Sequence, residues 1–86
     1  MITHVTLMRL SDELRQRRRA RGLRQTDLAK LAGVSRALVI RAEQGDETIA
    51  IGNIVKLFWS MGAELVVDTA RRPTLEEAAR LFDDED

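Results

Sequence analysis

The chain has 86 residues, 44% of them hydrophobic and 33% charged, with no cysteine and one histidine, His4. That length suits one small globular domain, which buries only about 60% of the surface its unfolded chain exposes and gives thin support to a catalytic site. The composition excludes disulfides and cysteine-ligated metal, no apolar run approaches the roughly 20 residues that span a bilayer, and no signal-peptide pattern opens the chain. A zero net charge conceals a division: residues 1–45 carry ten Lys/Arg against four Asp/Glu, a balance of +6, and residues 46–86 carry four against ten, −6. Such a split implies two partners of opposite character, or a dipolar, well-solvated surface.

Residues 1–9 alternate too loosely to separate a short strand from a disordered lead-in. A first helix is predicted from Ser11, read as its N-cap, to a stop at Gly22. Leu10 and Leu14 form its inner face, and Arg15, Arg17, Arg18, Arg19 and Arg21 cover most of the rest, as a solvated face or a phosphate track. A second helix runs from Gln25 to Ala32, with Leu28, Ala29, Leu31 and Ala32 inward and Gly33 at its end. Ser35 caps a third, residues 36–44, that buries Val39 and Ala42 and ends at Gly45.

After the loop GDETIAIG, residues 53–61, or a start as early as Ile51, bring Ile54, Leu57, Phe58 and Met61 onto one helical face. AELVVDT then reads as a strand with Leu65 and Val67 opposite Glu64, Val66 and Asp68. Thr74 and Glu77 stand in capping-box spacing before LEEAARLF, whose apolar stripe is Leu75, Ala78, Ala79 and Phe82; residues 83–86 are all acidic.

The stretch QTDLAKLAGVSRALVIRAEQG has the spacing of two helices crossing steeply. With Gln25 as position one, a small Ala29 at five permits close approach, Gly33 at nine makes the turn, and Val39 and Ala42 at fifteen and eighteen face the first helix. On these residues the chain resembles the Xre/Cro helix-turn-helix family over roughly residues 10–69. IGNIVKLFWSMGAELVVD is similar to the HipB-like antitoxin branch, in which a strand pairs with its twin across a dimer. The resemblance implies an all-α, lambda-repressor-like domain of four to five helices with a short C-terminal β-strand, preceded by residues 1–9 and followed by an acidic tail, residues 70–86, with a short helix.

Carried over by position, the resemblance places Ser35, Arg36, Ala37 and Arg41 against bases, with Arg36 and Arg41 reading guanine. Gln25, Arg24, Lys30 and Gln44 become phosphate contacts. Glu43 reads as structural, because a carboxylate facing DNA is repelled. Leu38 and Ile40 depart from the family's usual Thr and Ser, and fit either thymine methyls or a helix that binds protein.

Ile51, Val55 and Trp59 add a second apolar face at i, i+4 and i+8, which reads as a dimer interface with Leu65, Val66 and Val67, or as packing of Trp59 on its own chain. Leu75, Leu81 and Phe82 with the acidic end are a candidate toxin-binding tail, or else a solubilising one. A helix of about eight residues is unstable alone, so this tail is expected to fold on a partner or stay loose.

The resulting expectation is a bacterial, cytoplasmic, nucleoid-associated homodimer on a palindromic operator: an antitoxin that represses its own operon and binds a HipA-type toxin, with no cofactor, metal or catalytic activity. Alternatives are a stand-alone phage-type or metabolic repressor, and a protein-binding adaptor that does not engage DNA.

Overall fold

A computed structural model describes residues 4–82, apart from the side chain of Phe82. Within them the chain forms five helices: α1 (Val5–Ala20), α2 (Gln25–Ala32), α3 (Arg36–Glu43), α4 (Ile51–Trp59) and α5 (Leu75–Phe82). The first begins six residues before Ser11. Its N-cap is His4, whose Nδ1 accepts the Thr6 N–H at 3.1 Å. Residues 5–9 are therefore helical, neither strand nor disordered, and residues 1–3 lie outside the described residues.

The reason is a buried stripe at helical spacing, Val5, Met8, Ser11, Leu14 and Arg18, in which two polar members mask the pattern. Ser11 is no cap: it is buried mid-helix, where its Oγ donates to the Leu7 carbonyl at 2.9 Å. At the other end Gly22 takes φ 68°, and the Leu23 and Gly22 N–H groups close onto the carbonyls of Arg18 and Arg19 at 3.1 and 2.9 Å.

Leu14, Leu28, Ala29, Val39, Ala42, Ile54, Leu57, Phe58 and Met61 form one core joining α1 to α4. Leu31, expected inside, is 56% exposed. The inward arc of α2 spans Leu28, Ala32 and Ala29, and at 100° per residue Leu31 falls outside it. The four inward positions expected of α4 are all buried.

No strand occurs among the described residues; residues 63–74 carry no regular secondary structure. Leu65 packs half-buried on the core while Val66 and Val67 are both exposed. A strand exists only as part of a ladder, and among the described residues nothing pairs with this segment.

The tail helix docks on its own chain. The capping box forms: the Thr74 N–H donates to Glu77 Oε1 at 3.0 Å and the Glu77 N–H to Thr74 Oγ1 at 3.1 Å. Glu77 also accepts both Nε (2.7 Å) and Nη2 (2.9 Å) of Arg9, and Arg80 Nη1 donates to Asp12 at 2.8 Å. Both pairs span 68 residues, so α5 lies along α1 in the same direction and in register.

The Arg9 guanidinium, then the Thr74 N–H, hold the Glu77 carboxyl at about 2 instead of 4.5. A carboxyl depressed in the folded state stabilises at pH values above its ordinary range, and that contribution disappears as pH falls through about 2. Protection of the α5 amides against hydrogen exchange should thus hold at pH 5 and fall toward pH 2. At neutral pH Glu77→Gln should already remove it, leaving the α2 and α3 amides protected.

Candidate nucleic-acid interface

Between α2 and α3 the chain turns in three residues. Gly33 adopts φ 71°, ψ 35°, a left-handed conformation that costs a residue with Cβ roughly 1 kcal/mol, and the Val34 N–H returns to the Ala29 carbonyl at 3.0 Å. Ser35 then opens α3, its Oγ accepting the Leu38 N–H at 3.1 Å. Val39 and Ala42 turn into the core against Leu28 and Ala29, so the opposite side of α3 faces outward.

Glu43, in the last turn of α3, fixes how that side is presented. It is 4% exposed and accepts both Nε (2.5 Å) and Nη2 (3.0 Å) of Arg18, itself 8% exposed. Arg18 Nη1 donates to the Leu23 carbonyl at 2.9 Å, Gln25 Nε2 to Glu43 Oε1 at 3.2 Å, and Arg15 to the Glu43 carbonyl at 3.0 Å. The Glu43 hydrogen bonds raise the Arg18 pKa above its ordinary value. One carboxylate thus ties α3 to α1, to the α1–α2 turn and to the start of α2. The structural role expected of Glu43 thus comes with a partner, Arg18, that the sequence does not single out, because an arginine among four others on one basic face carries no mark of burial.

The candidate base-contact residues Ser35, Arg36, Ala37 and Arg41 are all exposed on α3. Arg36 forms no ion pair with any described residue. Arg41 differs: its Nε donates to Asp46 at 2.7 Å and its Nη2 to Thr48 at 3.0 Å. Leu38 and Ile40 are half-buried, and Leu38 packs on the core, so neither belongs to the fully outward side.

Of the candidate phosphate contacts, Lys30 and Gln44 are exposed and Gln25 is half-buried with its amide already on Glu43. Arg24 is exposed but clasps Asp27, whose carboxyl the side chain and N–H of Arg24 hold at about 2. The basic cluster on α1 divides: Arg15 and Arg17 pair with Asp12 and Glu13, Arg18 is buried, and Arg19 and Arg21 are exposed.

On α4, Ile51, Val55 and Trp59 are exposed along one face, Trp59 by 67%, so the indole is not taken up by the described residues. Leu75 is 92% exposed, and Leu81 lines a cleft of about 560 Å³ with His4, Val5 and Pro73. The Phe82 side chain and residues 83–86 lie outside the described residues.

The sequence pattern of the helix-turn-helix domain family matches residues 9–57, more than half the chain, running from the middle of α1 into α4. The chain belongs to the helix-turn-helix domain family. Membership supports DNA binding and a regulatory role, and the matched span stops short of the C-terminal segment. No curated protein matches the chain.

Removing one partner from a buried ion pair leaves an uncompensated charge and costs about 3–5 kcal/mol. Glu43→Gln should therefore remove a large share of the roughly 5–15 kcal/mol that stabilises a small domain, and lower the denaturant midpoint in proportion. An unchanged midpoint would show that the pair does not hold α3 in place.

Proposed function

We propose that this protein is a transcriptional repressor that binds a palindromic operator as a homodimer, without enzymatic activity. The observation that carries the reading is the outward side of α3, which displays Arg36 without an anionic partner among the described residues beside Ser35, Ala37 and Arg41. In a major groove these arginines meet guanine O6 and N7, with Arg24, Gln25, Lys30 and Gln44 flanking as phosphate contacts. The half-burial of Leu38 and Ile40 weighs against the protein-binding alternative.

The exposed Ile51–Val55–Trp59 face supports a dimer, since a tryptophan open to water beside two aliphatic residues is the kind of anchor interfaces use. Residues 64–68 of two copies, paired across the twofold axis, form the ladder that is absent among the described residues of one copy. Two recognition helices then sit about 34 Å apart, one turn of duplex.

The finer reading is an antitoxin that represses its own operon and binds a HipA-type toxin, supported by the resemblance of residues 51–68 to the HipB-like branch and by the acidic tail. One observation favours a stand-alone repressor instead: α5 is already engaged by α1 through Arg9–Glu77 and Arg80–Asp12. Co-purification of a neighbouring gene's product with the full chain, but not with a chain ending at residue 69, supports the antitoxin. Unchanged repression by the truncated chain without such a product supports the stand-alone repressor.

The deciding experiment is binding to the upstream duplex across a salt series, with scrambled duplex as control. Specific binding that weakens steeply with salt is expected; equal or absent binding to both duplexes overturns the reading. Arg36→Ala should cost roughly 1–3 kcal/mol on the specific site, whereas Arg24→Ala should weaken all duplexes alike and flatten the salt slope by about one. Trp59→Ala should move the sedimenting species from dimer toward monomer; an unchanged mass removes Trp59 from the interface.

A further inference from the structure

We infer that Asp46 and Thr48 are positioning residues that hold Arg41 of the recognition helix as a guanine reader. The inference rests on the DNA-binding reading above and concerns the same surface. Asp46 lies just beyond α3, and its Oδ1 accepts both the N–H (2.8 Å) and the Oγ1 hydroxyl (2.6 Å) of Thr48. Its Oδ2 takes Arg41 Nε at 2.7 Å, and Thr48 Oγ1 accepts Arg41 Nη2 at 3.0 Å. The ring is closed: each polar atom of Asp46 and Thr48 facing Arg41 has a partner, and the Thr48 hydroxyl proton is spent on Asp46, so its oxygen can only accept from the arginine.

These bonds occupy one edge of the guanidinium, Nε and one N–H of Nη2. The adjoining edge, Nη1 with the second N–H of Nη2, makes no hydrogen bond to any described residue, and Arg41 is exposed. That edge presents two parallel donors. In the major groove guanine offers two acceptors side by side, O6 and N7, whereas adenine pairs an acceptor with a donor. A loose arginine can swing to a phosphate or to a single acceptor. An arginine gripped along its Nε edge keeps its fork in one orientation and has lost that rotamer freedom before binding. Thr48 and Arg41 hydrogen bonds also keep the Asp46 carboxyl ionised down to about 2, so the grip holds at every physiological pH.

The test uses the purified full chain, duplexes selected by it from a random 20-base-pair pool, and variants checked for unaltered helix content. Wild type should enrich a guanine whose replacement by adenine or 7-deazaguanine weakens binding about 10- to 100-fold. Asp46→Asn and Thr48→Val should each reduce that penalty to a few-fold, while scrambled duplex is bound as well as before, or better for Asp46→Asn, which removes a negative charge. Thr48→Ser, which keeps the hydroxyl, should restore the full penalty. Arg41→Ala should abolish it, with no further change on adding Asp46→Asn.

A full penalty in Asp46→Asn and Thr48→Val overturns the positioning role, and a full penalty in Arg41→Ala overturns Arg41 as reader; in both cases DNA binding stands. No enrichment of any duplex by wild type overturns the DNA-binding reading and this inference together.

Discussion

The Arg18–Glu43 pair is the interaction on which the rest of the arrangement depends. Two opposite charges are withdrawn from water at the point where α1, α2 and α3 meet, and every described buried side-chain polar atom has a partner. Burying such a pair is expensive, and an apolar pair of similar volume could hold the helices together as firmly. What the planar fork adds is direction. Arg18 reaches Glu43 from one side and the Leu23 carbonyl from another, while Gln25 closes on the same carboxylate, so α3 is held in orientation as well as in contact. An eight-residue helix whose only buried apolar side chains are Val39 and Ala42 would otherwise be free to roll, and with it the residues it displays.

That fixed orientation gives the two arginines of α3 different characters. Arg36, near the first turn, has no partner among the described residues and keeps its rotamer freedom. Arg41, in the last turn, is tethered to Asp46 and Thr48. The opposed charges of the two chain halves are also partly reconciled within the molecule. Asp46 engages Arg41 and Glu77 engages Arg9, so acidic residues of the second half steady basic helices of the first, beyond any external partner they meet. The apolar remainder, Ile51, Val55 and Trp59, is left outside this accommodation.

Helices 2 to 4 were legible from local signatures: Gly33 and Gly45 stop α2 and α3, Ser35 caps α3, and all three carry apolar residues at helical spacing. The pair Thr74 and Glu77 announced α5 in the same way. Three features were not legible. The start of α1 was obscured because Ser11 has the chemistry of a cap, while in fact it satisfies itself on the Leu7 carbonyl inside a longer helix. The segment AELVVDT has the alternation of a strand, yet alternation specifies which faces a strand would show and not whether a second strand is there to pair with. Docking of α5 depended on contacts across 68 residues, which no local pattern records.

The sequence by itself determined the two-helix crossing, the outward residues of α3 and the core of α4, since glycine stops, small residues and 3.6-residue spacing act within a few positions of one another. Tertiary structure alone decided which arginines are free and which are held. Arg18, Arg36 and Arg41 are the same residue on helices of one domain; one is buried on Glu43, one stands without an ion pair among the described residues, and one is gripped by a loop carboxylate. The charge and reach of a guanidinium are written in the chain, but its partner depends on which acceptor the fold carries to it.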